Sequence, residues 1–168
     1  MSEIAKRQFV RQQGLGDASA ASCAYQYPAL MFQPRLLAAV VLLAILLQSA
    51  AMFLVLACIL WWNVLVPRRN PFDALYNRAI AAPRKLPPLT PAPAPRRFAQ
   101  GMAGTILAGA GLALLAARPG LAWILEGLVT VALGALVLGR FCLGSYLYHL
   151  VRGETSFANR TLPWSRSD

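Results

Sequence analysis

The sequence predicts an all-α membrane protein whose four membrane helices form two hairpins, the first of them short. Two long apolar blocks, residues 36–66 and 98–139, are almost free of charge, and basic residues flank both of them. Apolar runs of about 20 residues favour membrane-spanning helices over a buried soluble core. Only 13% of the 168 residues are charged, about half the share of an ordinary soluble domain. The chain is therefore expected to have the lipid bilayer as its surroundings.

The distribution of basic residues predicts the side of the membrane on which each segment lies. Of the 16 lysines and arginines, 15 lie in the stretch up to Arg35, in the loop 67–97 or from Arg140 onward. The remaining one, Arg118, interrupts the second block. Basic segments stay on the cytoplasmic side of a plasma membrane, so in such a membrane both termini and the central loop are expected there. This pattern accounts for the net charge of +10, and we expect no nucleic-acid partner.

The second block predicts a hairpin of two complete spans. Residues 98–117 and 121–139 are each long enough to cross about 30 Å of hydrocarbon, and residues 118–120 form the turn. Small residues recur along both arms and permit close helix approach. We expect mutual packing of two faces, formed by Gly101, Thr105, Gly109 and Ala113 in the first arm and by Gly127, Thr130 and Gly134 in the second.

The first block predicts a shorter hairpin. As one helix it would be about 46 Å long, too long for a single span without steep tilt. A single span would also separate the basic N-terminal tail from the basic loop. A break at Gln48-Ser49 removes both objections and leaves arms 36–47 and 50–66. The first arm, about 18 Å long, is expected to cross incompletely, and residues 28–33 could extend it.

The central loop predicts a short amphipathic helix at residues 71–81 that lies on the membrane surface. Asn70 is suited to cap it, Pro71 to begin it and Asp73 to occupy its first turn. Apolar residues then recur at helical spacing. Five prolines between residues 87 and 95 predict an extended connector. The resulting division is an N-terminal tail 1–35, a hairpin 36–66, a loop 67–97, a hairpin 98–139 and a C-terminal tail 140–168.

Few side chains in the sequence are candidates for a reactive or proton-transferring role. The candidates are Cys142, Cys58, Glu126 and His149. Glu126 is the sole acid within an apolar segment, and an interfacial ion pair with Arg118 is favoured over a proton-relay or substrate role. His149 follows two tyrosines, a setting typical of a contact with lipid headgroups.

Neither a disulfide framework nor a metal site is predicted. Cys23, Cys58 and Cys142 are widely separated, and their spacing matches no Cys/His metal motif. No catalytic, cofactor-binding or metal-binding set is evident. The sequence has one histidine and six acidic residues, so few side chains could act as general acids or bases. This argues against an enzyme without excluding one.

Three sequence runs carry a family resemblance: NPFDALYN at 70–77, PAPAPRRFAQGMAG at 91–104 and GRFCLGSYLYHL at 139–150. Together they resemble an uncharacterised bacterial integral-membrane family, domain of unknown function four-three-nine-five, over residues 32–164. The resemblance implies a multi-pass bacterial membrane protein with no assigned reaction. It also implies thioredoxin-like or sulfurtransferase partners for some relatives. Some relatives carry a second cysteine shortly after the position of Cys142, where this chain has Leu143-Gly144-Ser145.

These observations favour a structural or accessory subunit of a membrane assembly, which associates with itself or with another membrane protein. The alternative is a thiol-redox or sulfur-handling component that uses Cys142, with or without Cys58, and works with a thioredoxin-like or sulfurtransferase partner. A small transporter is a third hypothesis, and it would require oligomerisation because four short helices leave little room for a pathway.

Overall fold

The computed structural model describes residues 3–15, 20–162 and 165, and their side chains from residue 5 to 15, from 24 to 162 and at 165. Within these residues the chain forms eight α-helices and no strand, so the all-α prediction is confirmed. The helices are α1 (Glu3–Gln12), α2 (Ala20–Leu46), α3 (Ala50–Leu65), α4 (Pro71–Tyr76), α5 (Ala94–Leu115), α6 (Pro119–Val137), α7 (Leu143–Val151) and α8 (Thr155–Arg160).

Three of the described helices are long and apolar enough to cross a membrane: Ala24–Leu46, Ala94–Leu115 and Pro119–Val137. The fourth apolar helix, α3, has 16 residues and is shorter than these. Large apolar side chains cover the outside of the bundle, and Leu46, Val131 and Leu138 are each more than 70% exposed. Soluble monomers rarely expose so much contiguous apolar surface. The chain is thus a multi-pass membrane protein by the length and composition of its helices.

The predicted break in the first apolar block is confirmed. Helix α2 ends at Leu46 and α3 begins at Ala50. Gln48 lies in the left-handed region, with a φ of 46°. The Ser49 side chain caps α3 by accepting a hydrogen bond from the backbone N–H of Met52 at 3.4 Å. Serine is a preferred residue type at the N-cap of a helix, so the start of α3 could be predicted from the sequence.

The predicted length of the first arm is wrong. Helix α2 has 27 residues and continues through Pro28 and Pro34, so it contains the extension by residues 28–33 that the sequence left open and reaches back to Ala20. An internal proline removes a backbone hydrogen bond and normally kinks or ends a helix. Here the residues around both prolines are buried: Tyr27, Leu30, Met31 and Leu37. Burial of this apolar surface offsets the cost of the prolines, and α2 becomes long enough to span.

Helix α5 occupies the centre of the bundle. It packs against α3, α6 and α7, whereas α2 packs chiefly against α6 and α1 and only lightly against α3. The two-hairpin arrangement is therefore not confirmed. A Cβ added at Gly111 would lie 2.9 Å from Leu54 Cγ, and one at Gly104 would lie 3.1 Å from Trp61 Cδ1. The close approach of α3 to α5 thus depends on these two glycines.

The predicted packing of small residues between α5 and α6 is largely wrong. Gly109 does face α6, with Leu125 Cδ1 3.1 Å from the position of an added Cβ, but Gly101 faces Val64 of α3. Among the described residues, no atom lies within 4 Å of a Cβ added at Gly127 or Gly134. The remaining residues of the two predicted faces are Thr105, Ala113 and Thr130. Thr105 is exposed and its hydroxyl donates to the Gly101 carbonyl oxygen of the same helix, whereas Ala113 is buried and Thr130 is exposed.

The rotation of α6 about its axis explains this difference. Its buried face consists of Ala122, Glu126, Val129 and Leu133. These residues recur at helical spacing and bury more side-chain surface than the opposite face would. Apolar burial outweighs the closer approach that glycine permits, so Gly127 and Gly134 point outward.

Both ends of the chain meet the central loop at one end of the bundle. The Gln8 side-chain amide donates to the backbone carbonyl of Ser165 at 2.9 Å. A Cβ at Gly14, whose φ is +87°, would lie 3.0 Å from side-chain atoms of Pro93 and Pro95. The turns after α2 and after α5 lie at the opposite end. The chain runs through the bundle four times, as α2, α3, α5 and α6, so the segments before the first and after the last of these helices lie at the same end.

The helix expected at 71–81 is present as α4 followed by a π-helical turn, Asn77–Ala81. The Asn70 side-chain oxygen accepts hydrogen bonds from the backbone N–H groups of Phe72 and Asp73, at 2.9 and 3.4 Å. The cap is thus confirmed. The position of this helix on a membrane surface stays a prediction.

Candidate functional site

Four buried polar side chains meet where α2, α4 and α5 converge. They are Gln33, Asp73, Arg96 and Gln100, each at most 7% exposed, and are called the polar cluster below. Arg96 Nη2 donates to Asp73 Oδ1 and to Gln33 Oε1, both at 2.7 Å, and Nη1 donates to Asp73 Oδ2 at 3.4 Å. Gln100 Nε2 donates to the same Gln33 oxygen at 2.9 Å. The cluster therefore joins three elements through one guanidinium group.

Local structure presents each member of the polar cluster. Arg96 and Gln100 lie four residues apart, on one face of the first turns of α5. Asp73 lies in the first turn of α4, where Asn70 Nδ2 donates to its Oδ2 at 3.1 Å. A buried ion pair offsets its desolvation only with good geometry and further hydrogen bonds. The two-point contact of Arg96 and the bond from Asn70 supply both.

A cavity of about 160 Å³ adjoins the polar cluster. Its walls are mostly apolar and come chiefly from α2, α5, α6 and the start of α7, with Phe9 of α1 and Leu60 of α3. Gln13, Gln33, Arg96 and Gln100 are its polar lining residues, and Gln100 Oε1 is buried and has no hydrogen-bond partner among the described residues. A mostly apolar concave space with a few convergent polar groups is the usual form of a small-molecule site. This cavity is the candidate site.

Cys142 borders the same cavity and is 5% exposed. Its backbone N–H donates to Gln12 Oε1 at 3.0 Å, and its Sγ accepts from Ser145 Oγ at 3.3 Å. Cys58 is exposed on α3, whereas its neighbour Ala57 faces the core. Neither thiol is in a disulfide within the described part of the chain. The structure thus places Cys142 at the candidate site and Cys58 on the outer surface; the side chain of Cys23 lies outside the described side chains.

His149 is buried and contacts protein rather than solvent. Its Nδ1 lies 2.6 Å from Glu154 Oε2, and its Nε2 lies 3.3 Å from the Gln12 carbonyl oxygen. Its ring centroid lies 4.7 Å from that of Phe157. Both nitrogens face acceptor atoms, so a doubly protonated ring donates to both and a neutral ring to one. The predicted contact with lipid headgroups is not found, because the N-terminal and C-terminal helices cover this histidine.

Glu154 is an exposed carboxylate held by two neighbours. The hydrogen bond from His149, and after it the one from Arg152, holds the pKa of Glu154 below its ordinary value. The hydrogen bond with Tyr148, followed by that with Glu154, raises the pKa of Arg152. The group links α7 to the turn before α8 and stands outside the long apolar helices. It is a structural joint at the C-terminal side of the candidate site.

Glu126 is 1% exposed and pairs differently from the sequence expectation. Its Oε2 accepts a hydrogen bond from Gln48 Nε2 at 3.1 Å, and its Oε1 has no partner among the described residues. No ion pair with Arg118 forms within this part of the chain, because Glu126 faces the core while Arg118 is exposed in the turn. The contact joins the α2–α3 turn to α6, at the end of the bundle opposite the polar cluster.

Sequence reasoning missed the polar cluster. Arg96 was assigned to the basic flank of a span, and Asp73 to the first turn of a surface helix. One signal was available, because Arg96 and Gln100 share a helix face at the start of an apolar segment. Their pairing with Asp73 and Gln33 depends on tertiary structure. Within the described residues, no group of three or more His, Cys, Asp or Glu side chains could hold a metal ion.

Comparison with known proteins identifies a family but no described relative. The family model described as Domain of unknown function (DUF4395) matches residues 27–152, three quarters of the chain, against the expectation of 32–164. No curated protein and no solved structure matches significantly. The matched span includes the polar cluster, Cys142 and all of the cavity lining except Phe9 and Gln13. The chain therefore belongs to this family of domains of unknown function.

Proposed function

We propose that the chain is an inner-membrane protein of bacteria in which α2, α3, α5 and α6 cross the bilayer. Both termini and the central loop then lie on the cytoplasmic side. The bond between Gln8 and Ser165 supports this topology, since it requires both ends of the chain on one side. The basic residues near that end support the cytoplasmic assignment. Helix α3, at about 24 Å, crosses with local thinning of the bilayer or with its flanking turns inserted.

We further propose that the protein is a structural or accessory subunit of a membrane assembly. The observation that carries this proposal is a basic cap at one end of the bundle, formed by α1, Arg35 of α2, the loop 67–93, and the segment from α7 to α8. Ten basic side chains at this end are exposed, against one exposed acid, Glu154, among the described side chains. They are Arg7, Arg11, Arg35, Arg68, Arg69, Arg78, Arg84, Lys85, Arg152 and Arg160.

Contacts between segments hold the basic cap in one shape. Gln8 donates to Ser165, Gln12 Oε1 accepts from the backbone N–H of Cys142, and within the loop Asn77 Oδ1 accepts from the backbone N–H of Leu89 at 2.8 Å. A preorganised charged surface binds a complementary partner at lower entropic cost than loose tails would. The fitting partner is the acidic cytoplasmic surface of another membrane protein.

Native purification tests the accessory role. The protein is extracted in a mild detergent from its own membrane, and its size is compared with that of a variant in which Arg68 and Arg69 are both replaced by glutamate. We expect the wild type in a larger assembly and the variant released from it. The control is Arg118→Glu, a charge reversal at the opposite end, which should leave the assembly intact. A wild-type protein that runs as a lone monomer would contradict the proposal.

The thiol alternative is supported by one observation, that Cys142 borders the cavity. A partner thiol on Cys58 receives no such support, because Cys58 lies on the exposed side of α3. The variant Cys142→Ser separates the alternatives, since a thiol-dependent function would be lost in it. Unchanged growth under thiol stress, together with no Cys58–Cys142 crosslink under oxidant, would reject the thiol function.

A further inference from the structure

We infer that a groove between α2 and the chain that follows α4 binds an anionic phospholipid of the cytoplasmic leaflet. The phosphate lies between Arg35 and Arg84, and the upper part of an acyl chain lies along the apolar side chains beside them. The inference rests on the proposed topology. It goes beyond the accessory role, because the ligand is a lipid and the two arginines are not the pair that tests the assembly.

The groove has the size and the lining of a ligand site. It has a volume of about 880 Å³ and lies between α2 and segment 76–86. Ligand pockets commonly measure about 300–1,000 Å³. Most of the lining is apolar, and its charged members among the described residues are Arg35 and Arg84. A phospholipid shows the same division, because a charged phosphate is joined to hydrocarbon chains.

Aromatic and aliphatic side chains form the apolar wall of the groove. The Tyr76 ring is 3% exposed, and its centroid lies 5.5 Å from that of Phe32. Phe32 and Ile80 pack against the buried cluster that contains Tyr76, and both are only partly covered. Apolar surface therefore remains in the groove, and hydrocarbon is the group that covers it favourably.

The groove lies at the depth expected for lipid phosphates. Gln33 of α2 accepts a hydrogen bond at 2.7 Å from Arg96, which lies in the first turn of α5. Arg35 follows two residues later, about 3 Å further along the helix axis. It therefore lies near the level at which the span α5 begins. At the same end of the bundle the exposed Trp62 donates to the Arg69 carbonyl oxygen at 3.2 Å, as expected of an interfacial tryptophan.

The loop that carries Arg84 has a fixed shape. Asn77 Oδ1 accepts from the backbone N–H of Leu89 at 2.8 Å, and the Leu86 N–H donates to the Ala81 carbonyl oxygen at 2.9 Å. These two bonds close the chain around Arg84. Less conformational freedom is then lost when a ligand binds there.

The two arginines of the groove are available to an anion. Both side chains are exposed, and neither takes part in an ion pair within the described part of the chain. Guanidinium groups bind phosphate oxygens through charge-assisted hydrogen bonds. Basic pockets between membrane helices on the cytoplasmic side are typical sites for anionic headgroups. An acidic protein segment would satisfy the arginines but would leave the apolar wall uncovered.

Photolabelling in a bilayer tests this inference. The full-length protein is placed in phosphatidylcholine nanodiscs with a small fraction of phosphatidylglycerol that carries a diazirine near the top of one acyl chain. The paired probe is phosphatidylcholine with the same chains. At equal low fractions we expect about tenfold to thirtyfold more label on Phe32 and Ile80 from phosphatidylglycerol, because two arginines favour the anionic head. Equal labelling by both probes, or no label in the groove, would overturn the inference.

Two matched variants separate the groove from the general basic charge of this end. Arg35→Gln/Arg84→Gln should lower labelling by phosphatidylglycerol to the level of phosphatidylcholine. The control, Arg68→Gln/Arg69→Gln, removes the same charge outside the groove and should keep the preference. A preference that survives in the groove variant, or that falls equally in both variants, would overturn the inference. If the groove variant fails to fold, the comparison of the two probes on the wild type still decides.

Soluble competitors separate a lipid from other anions. Glycerol phosphate has the phosphate without hydrocarbon, and a short polyglutamate peptide imitates an acidic protein segment. Neither should reduce groove labelling by phosphatidylglycerol, and displacement of the lipid by either would overturn the inference. The assembly test changes Arg68 and Arg69 to glutamate and reads the size of the complex. Failure of the accessory role is therefore distinguishable from failure of the lipid site.

Discussion

Arg96 and Asp73 are 23 residues apart in sequence and form a two-point ion pair in which both side chains are at least 90% buried. The pair connects the start of the central helix α5 to the short loop helix α4. Since Gln33 of α2 shares the same guanidinium, the loop is fixed to two long helices at once. The central loop is thus an integral part of the bundle.

Removal of Asp73 should destabilise the protein strongly. In Asp73→Ala the Arg96 charge stays buried without its counterion, and we expect a loss of about 3–5 kcal/mol in the free energy of unfolding. The measurement is thermal or denaturant unfolding in mild detergent micelles. The double variant Asp73→Leu/Arg96→Met, which removes both charges, should recover most of the loss. A double variant as unstable as the single one would contradict this account.

The glycine at position 111 should tolerate no side chain. A Cβ there would lie 2.9 Å from Leu54 Cγ and 3.1 Å from the Ala50 carbonyl oxygen, which is backbone and cannot move aside easily. We expect Gly111→Ala to cost about 1–3 kcal/mol through overpacking. The matched control is Gly127→Ala on the open face of α6, where alanine should stabilise the helix by up to about 1 kcal/mol. Equal effects at both positions would show that α3 does not press on α5 there.

Acidification should weaken the joint between His149 and Glu154. The pKa of Glu154 is held below its ordinary value of 4.5, first by the His149 hydrogen bond and then by Arg152. A lowered carboxyl pKa contributes stability that is complete above pH 4.5 and is lost as the pH falls through the lowered value. The stability difference between wild type and Glu154→Gln should therefore shrink as the pH falls from 4.5 through the lowered value.

Unfolding curves recorded across the acid range measure this difference. In Arg152→Gln most of the pH dependence should persist, because the bond from His149 is the larger cause of the shift. A difference between wild type and Glu154→Gln that stays unchanged in acid would refute the assigned role of this carboxylate.

The proposed topology predicts which turns can be labelled from outside the cell. Thr90 in the central loop and Gly120 in the turn before α6 are both exposed, so labelling at either position reports its side of the membrane rather than its burial. In a variant without native cysteines, Gly120→Cys should react with an impermeant maleimide in intact cells. Thr90→Cys should react only after lysis. Labelling of Thr90→Cys in intact cells would reverse the orientation.

Local signals in the sequence predicted the helix ends better than they predicted helix length. The break at Gln48-Ser49 and the cap at Asn70 depend on neighbouring residues, and both were legible. The extension of α2 through Pro28 and Pro34 depends on burial against distant segments, which outweighs the local preference of proline. Periodicity alone therefore understated the longest helix.

Helix faces and the candidate site were harder to predict for a related reason. Small residues on α6 indicated a packing face, but the rotation of α6 follows the larger surface buried by Val129 and Leu133. Asp73 and Arg96 each had a plausible local role, as a first-turn acid and as a membrane-flanking base. Their actual role arises only when the loop folds back onto α5, which no short-range pattern encodes.

The packing of α2 has a consequence for biogenesis. Its principal neighbour among the long helices is α6, which is separated from it in sequence by α3, the loop and α5. Membrane helices insert first and associate afterwards. During synthesis, α2 must therefore enter the bilayer long before α6 exists, with Gln33 still lacking Arg96. The first half of the protein is an unfinished intermediate that depends on lipid, or on the insertion machinery, until the last long helix arrives.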